Sequence, residues 1–327
     1  RTTRENMQQV LITDGVHPLL IDGLEQMGFR CVYEPQISLE AVRQRVKDYV
    51  GMIINSKIRV DRAMLDAAVQ MRFIGRLGSG LEIIDLAYAA ERGVAVHSAP
   101  EGNRNAVAEH AMGMLLALAN NLLAADRGVR DRIWRREAMR GWELWGKTVG
   151  IIGFGNTGRS FASKLESFGV RILAYDKYHP FFSDQFSSVR NSDLAEIQAE
   201  ADIISLHLPL TAEVHHLVDA SFLEACREGV IIINTSRGQV VRTSDLLAAL
   251  SSGRVGGACL DVFENEKVAT FSEAESRTYE ALYRRPDVIL SPHVAGWTRE
   301  SKQRLAEVLL RKIRATEYSR NPAQEVD

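Results

Sequence analysis

Cysteine is scarce. Cys31, Cys226 and Cys259 stand far apart and form no C-x-x-C pair, so the chain carries no disulfide framework, and reduced thiols in a cytoplasmic protein are expected. A dominant charge is also missing. Forty Lys and Arg face 42 Asp and Glu, with a net charge of −2 and no long run of one sign. That argues against a nucleic-acid partner or a polybasic membrane surface. No uninterrupted apolar stretch is long enough to span a bilayer. The first residues, RTTRENMQQV, lack the apolar core of a signal peptide, and Met7 is one candidate for a native start. There is no low-complexity segment and no internal repeat beyond strand–helix alternation.

What is present is an ordinary globular composition, 46% hydrophobic and 25% charged, over 327 residues. That length predicts two domains, each able to bury a core. Short apolar runs predict strands at Gln9 to Thr13, Phe29 to Tyr33, Gly51 to Asn55, Arg72 to Gly75 and Val94 to His97. Helices fill the gaps, and Asp61 is placed to cap the one running to about Ala68. Such alternation implies a parallel sheet covered on both faces. Arg104 to about Leu123, apolar-rich and free of proline, reads as a connecting helix, with a charged helical stretch following to Arg140. Further strands are expected at Asp202 to Leu206, Val230 to Ile233, Gly257 to Leu260 and Val288 to Leu290. Stretches 181–192 and 264–276 read as surface loops. A final helix, about Thr298 to Ser319, follows the last strand and is placed to return to the first domain.

The stretch Thr148 to Asp176 is the most informative. An apolar strand leads into Gly153, Gly155 and Gly158 at G-x-G-x-x-G spacing, then a helix closed near Gly169, then a second strand ending on Asp176. The first glycine permits the tight turn, the second lets backbone approach a pyrophosphate, and the third lets the helix pack closely on the sheet. The helix N-terminus offers unpaired N–H groups to phosphates. Asp176, eighteen residues after Gly158, is placed to accept both ribose hydroxyls and would repel a 2′-phosphate, which favours NAD over NADP. Lys177 beside it acts in the opposite sense.

In open α/β sheets, ligands bind beyond the carboxyl ends of the strands. The predicted strands end on His207-Leu208-Pro209, on Asn234-Thr235-Ser236-Arg237-Gly238, on Asp261 with Glu266 shortly after, and on Ser291-Pro292-His293. No metal-ligand spacing occurs among the His and Cys residues nearest these positions, so no metal is expected.

These motifs, GRLGSGLEIID (75–85), APEGNRNAVAEHA (99–111), GKTVGIIGFGNTG (146–158), LHLPLT (206–211), INTSRGQVV (233–241), LDVFENE (260–266) and SPHVAG (291–296), resemble the D-isomer-specific 2-hydroxyacid dehydrogenases. The resemblance implies two doubly wound parallel α/β domains, a Rossmann NAD-binding domain (104–297) inserted in a flavodoxin-like substrate domain (1–103 plus 298–327). It implies His293 as acid/base, Glu266 orienting its ring, and Arg237 gripping the substrate carboxylate. Ser79 and Gly80 would add backbone N–H groups for that carboxylate. Asn156 and Thr157 would lie on the pyrophosphate, Thr235 and Ser236 near the nicotinamide ribose, and Asp261 at the nicotinamide end. His207, Pro209, Ala295 and Gly296 complete the implied cofactor contacts. The rings of His110, His207, His215 and His216 read as structural or exposed.

The resemblance leans toward the branch that oxidises D-3-phosphoglycerate, at the entry to serine synthesis, in a short form without a C-terminal regulatory domain. That branch commonly carries Arg-Ser-x-Thr where this chain has Asn55-Ser56-Lys57-Ile58. Lys57 and Arg76 either replace the phosphate grip or are solvated surface charges. Two other departures are Lys267 in place of the usual proline after Glu266, and Trp297 in place of a small residue. A glyoxylate or hydroxypyruvate reductase is the alternative within the class. A non-enzymatic NAD-sensing corepressor relative is the alternative outside it. A homodimer is implied, with Arg104 to Leu123, Trp134, Trp142 and Trp145 as interface elements and hinges near 100–104 and 295–298.

Overall fold

Short, β-branched runs form the strands of two parallel sheets. The computed structural model describes residues 7–179 and 186–320. The chain divides into two compact units: one runs to Asn103 and resumes at Trp297, and the other is Arg104–Gly296.

The first unit holds β1 (Gln9–Ile12), β2 (Arg30–Tyr33), β3 (Gly51–Ile54), β4 (Phe73–Arg76) and β5 (Ala95–Ser98), ordered β2-β1-β3-β4-β5 and parallel throughout. This is the flavodoxin-like order. The central strand β3 is buried at every residue, and a Cβ on Gly51 would meet the Phe73 ring at 2.3 Å, so only glycine admits that ring. One face of the sheet packs on Val42, Met64, Leu65 and Ala89. The other packs on Leu20, Leu24, Ala306, Leu309 and Ile313, the last three from the helix Arg299–Arg320. Asp61 caps its helix as expected, accepting from Met64 N at 2.9 Å.

The second unit holds β6 (Thr148–Ile152), β7 (Arg171–Tyr175), β8 (Val189–Asn191), β9 (Ile203–Leu206), β10 (Val230–Asn234), β11 (Val255–Leu260) and β12 (Val288–Leu290). The order is β12-β11-β10-β9-β6-β7-β8, a Rossmann sheet with one further parallel strand. Chain order reverses between β6 and β9, which places the ligand crevice beyond their carboxyl ends.

Three expectations change. Part of the stretch 181–192 is a strand: β8 pairs with Ile172 to Ala174 of β7. Three edge residues are too few to show a period, and 181–185 lie outside the described residues. The connecting helix runs Pro100–Ala119, with proline at its first position, where its missing N–H costs nothing. It stops at Asn121, whose left-handed backbone (φ 51) breaks the run; a second helix, Leu122–Arg130, follows and ends well before Arg140. The loop 264–276 ends in a helix start at Glu273, where Ser272 and Glu275 form a capping box. Among the described residues, no single helix is long and apolar enough to cross a membrane.

Candidate active site

The glycine turn separates two kinds of demand. Gly153 has φ +90, and a Cβ there would meet His207 O at 2.1 Å; a Cβ on Gly158 would meet Gly153 O at 2.2 Å. Both are glycine because the protein's own backbone fills the space. A Cβ on Gly155 would meet nothing within 4 Å. Gly155 precedes the helix Asn156–Leu165, and no side chain caps that helix start. Uncapped N–H groups beside an unfilled Cβ position suit an anion held by backbone.

Asp176 closes the same crevice at the end of β7. Its Oδ2 accepts from Phe154 N (2.8 Å), and its Oδ1 accepts from Tyr178 N and His179 N (both 2.9 Å). Burial pushes this carboxyl up, but the three N–H donors outweigh it and hold it below the usual aspartate range. Lys177 is turned to Glu213 at 2.6 Å. The ring of His207 is buried: Nε2 lies 2.8 Å from Ser205 Oγ, and burial lowers its pKa to about 3. Its backbone, not its ring, borders the glycine turn. Pro209, beyond β9, is exposed.

Three strand ends bring the chemical groups together. After β10, Asn234 Oδ1 accepts from Ser236 N (3.0 Å) and Ser236 Oγ (2.8 Å), while Asn234 Nδ2 donates to Arg237 O (2.9 Å). This one buried amide shapes the turn that carries Arg237. The hydroxyl of Thr235 is buried and has no partner among the described residues, which fits a polar group supplied from outside the chain. After β11, Glu266 Oε2 lies 2.8 Å from His293 Nδ1, and Glu266 Oε1 accepts weakly from Phe263 N at 3.3 Å. Burial raises the Glu266 carboxyl. The hydrogen bond and charge of His293, the Phe263 N–H and the Arg237 charge together bring it below its ordinary value.

His293 has a left-handed backbone, φ 56. For a residue other than glycine this costs about 1–3 kcal/mol, so the surroundings must over-determine it. Asp261 does so. Its carbonyl accepts from His293 N (2.7 Å), its Oδ1 from Ser291 Oγ (2.6 Å) and Val294 N (2.9 Å), and its Oδ2 from Ala295 N (2.9 Å). Asp261, expected at the nicotinamide end, directs a carboxylate that is 1% exposed at the histidine turn. Ala295, expected on the cofactor, gives its N–H to that carboxylate. Gly296 follows it, partly buried.

In the first unit, the expected substrate contacts follow β3 and β4. Lys57 Nζ donates to Pro35 O (2.6 Å) and Arg76 Nη1 to Leu77 O (2.8 Å). Ser79 Oγ donates to Asn103 Oδ1 (3.2 Å), and Gly80 is partly buried beside it. Trp297 is 74% exposed.

Sequence reasoning placed Asn234 at a strand end and read His110 as structural or exposed, but assigned no role to Asn234, His110 or Glu264. His110 Nε2 lies 2.8 Å from Ser291 Oγ. Glu264 pairs with His216 Nε2 and accepts from Thr243 N at 2.7 Å, fixing the segment that precedes Glu266. The spacing Asn-x-Ser-Arg just past a buried strand was the available signal for Asn234; the other two have none in the sequence.

Residues 112–295 match the family model described as D-isomer specific 2-hydroxyacid dehydrogenase, NAD binding domain. The D-3-phosphoglycerate dehydrogenase of Sus scrofa is 33% identical over 305 residues, covering 92% of this chain and 55% of the relative. The chain spans about half the length of the curated relatives it matches. A solved glyoxylate reductase from Paecilomyes thermophila has a TM-score of 0.84 and 25% identity, covering 96% of this chain and 97% of that one. A solved D-lactate dehydrogenase from Aquifex aeolicus, complexed with NAD and lactic acid, has a TM-score of 0.82 and 25% identity, covering 95% and 96%.

Proposed function

The chain belongs to the D-isomer specific 2-hydroxyacid dehydrogenase family, and on that premise we propose that it transfers hydride between NAD and C2 of a small D-2-hydroxy acid. One observation carries the reading: the 2.8 Å contact between His293 Nδ1 and Glu266 Oε2. A carboxylate only accepts, so Nδ1 carries the proton and Nε2 is left to exchange one with substrate. In oxidation Nε2 takes the hydroxyl proton. In reduction it returns a proton to the carbonyl oxygen. Glu266 fixes the tautomer and stabilises the imidazolium. Arg237 grips the substrate carboxylate and polarises the reacting carbonyl.

NAD, when bound, supplies the hydride acceptor at nicotinamide C4. The residues that would hold it are the turn Gly153 to Gly158 with the N–H groups of Asn156 and Thr157, Asp176 for the ribose hydroxyls, and Thr235 with Ser236 at the other ribose. Asp176 puts its negative charge beside the glycine turn, where Oδ2 accepts from Phe154 N, and Lys177 is paired with Glu213, which supports NAD over NADP.

For the substrate we propose D-3-phosphoglycerate, oxidised to 3-phosphohydroxypyruvate at the entry to serine synthesis; the names of the curated relatives support this. A second reading, a glyoxylate or hydroxypyruvate reductase, is favoured by one observation: Lys57 and Arg76 are both engaged by main-chain carbonyls. A homodimer is also proposed. The long helix Pro100–Ala119 is core, but the helix Leu122–Arg130 has no buried residue; Leu122, Leu123 and Val129 are exposed on it, Trp134 is exposed just after it, and Trp145 is exposed elsewhere on the unit. Sedimentation at micromolar concentration tests that.

The deciding experiment is NADH oxidation against phosphohydroxypyruvate, hydroxypyruvate, glyoxylate and pyruvate. Preference for the phosphorylated acid, lost on Lys57→Ala or Arg76→Ala, supports the first reading. Preference for the unphosphorylated acids, unchanged in those variants, supports the second. No turnover with any of them, while NADH still binds, would overturn both and favour a sensor.

A further inference from the structure

The turn carrying His293 depends on a buried carboxylate, and a histidine on the helix Pro100–Ala119 reaches that carboxylate through a single hydroxyl. Ser291 Oγ lies 2.6 Å from Asp261 Oδ1 and 2.8 Å from His110 Nε2; His110 Nε2 and Asp261 Oδ1 are 3.6 Å apart. The proton positions follow from the chemistry. A carboxylate can only accept, so Ser291 gives its one proton to Asp261. The Ser291 oxygen then accepts from His110, and Nε2 carries a proton. Among the described residues, His110 is the one titratable side chain within ion-pair reach of Asp261.

We infer that His110 is a positioning residue for the proton-transferring histidine: its Nε2–H, relayed through Ser291 and Asp261, holds the 291–295 turn that sets the ring of His293 against Glu266. This rests on the dehydrogenase reading for its effect on rate, but not for its effect on the ring. The alternative acceptor for the serine hydroxyl is Met114 Sδ, at 3.8 Å. Without the His110 donor, the Ser291 hydroxyl keeps only its bond to Asp261, loses the second partner that fixes its direction, and can turn toward that sulfur. Asp261 Oδ1 then keeps only Val294 N, and the left-handed turn loses part of what determines it. The proton-transfer distance is sensitive to such displacement: a misplacement of about 1 Å can cost on the order of a hundredfold in rate. The turn Gly153 to Gly158 and Asp176 share no hydrogen bond with this relay, so NADH binding is expected to stay nearly unchanged.

His110→Leu fills the space without a donor, and His110→Gln restores an N–H of similar reach. Three measurements separate positioning from packing. The kcat of His110→Leu should fall about tenfold, with the KM for NADH within about twofold and at least half of the kcat recovered in His110→Gln. Imidazole 15N shifts of the cofactor-free protein at mildly alkaline pH should report the Nδ1–H tautomer of His293 in the wild type and His110→Gln, and a mixture in His110→Leu. Ser291→Ala should lower kcat to the same degree, and adding His110→Leu to it should cost little more, since both break one relay. A kcat within twofold of wild type in His110→Leu with an unchanged tautomer overturns the inference. So does a His110→Gln variant as slow as His110→Leu. If the wild type reduces none of the oxo acids, the dehydrogenase reading fails, while the 15N comparison still decides the part of His110.

Discussion

Nδ1 of His293 and Oε2 of Glu266 meet at 2.8 Å from two different loops, one following β12 and one following β11. Neither loop positions its residue alone. The histidine turn hangs on Asp261, and the glutamate segment hangs on Glu264 and Asn265, whose N–H donates to the Tyr279 hydroxyl at 3.0 Å. His293→Ala should therefore lower kcat by about a hundredfold or more. Glu266→Gln should lower it less, on the order of tenfold, because an amide oxygen still accepts from Nδ1 but carries no charge to stabilise the imidazolium. Steady-state rates at saturating NADH are the check, and near-wild-type turnover in His293→Ala would remove the mechanism.

The three glycines of the turn should fail in different ways. Gly153→Ala places a Cβ against His207 O in a left-handed backbone, and Gly158→Ala places one against Gly153 O. Both should lose stability by at least about 1 kcal/mol, read as a lower denaturation midpoint. Gly155→Ala meets no protein atom and should melt close to wild type, yet bind NADH at least about tenfold more weakly. Calorimetric titration of the three variants with NADH would settle the point; unchanged affinity in Gly155→Ala would mean the pyrophosphate lies elsewhere.

Asp176 predicts a pH dependence. Its folded pKa is depressed, so its stabilising contribution is present above the unfolded value of about 3.9 and is lost as pH falls through the lower folded value. Urea midpoints of the wild type should drop between about pH 5 and pH 2 more steeply than those of Asp176→Asn. At neutral pH the same variant should bind NADH about tenfold or more weakly, since hydrogen bonds to a charged acceptor are worth roughly 1.5–3 kcal/mol. Parallel pH curves for the two proteins would show that the carboxylate is not held ionised by its three N–H donors.

Asn234 is expected to act on Arg237 without touching substrate. Asn234→Ala removes two accepted bonds and one donated bond from a buried turn and should destabilise the protein by about 1–3 kcal/mol. Asn234→Asp keeps the acceptor for Ser236 but cannot donate to Arg237 O. Both variants should raise the KM for the oxo acid severalfold while the KM for NADH moves little. An effect confined to NADH would place Arg237 outside the substrate site.

Much of the fold was legible because its signals are local. The strand, glycine turn, helix and acid of Thr148 to Asp176 each impose a constraint on neighbouring residues, and the parallel sheets follow from alternating strands and helices. The strand β8 was not legible, because three residues at a sheet edge carry no period. Nor was the break at Asn121, where a left-handed residue ends a helix that composition alone would continue.

At the site, the sequence by itself determined which residue types stand at which strand ends: Arg237 after β10, Asp261 and Glu266 after β11, His293 after β12. Spacing along the chain decides that much, because a parallel sheet presents every strand's carboxyl end on one side. Tertiary structure alone decided what each side chain does there. The Asp261 carboxylate anchors the histidine turn through Ala295 N, and the His207 ring is a buried neutral group on Ser205. His110 looks incidental, yet it completes the relay to Asp261. The physical reason is that a buried polar atom must find partners among whatever the fold brings within about 3 Å, and those partners come from segments far apart in sequence.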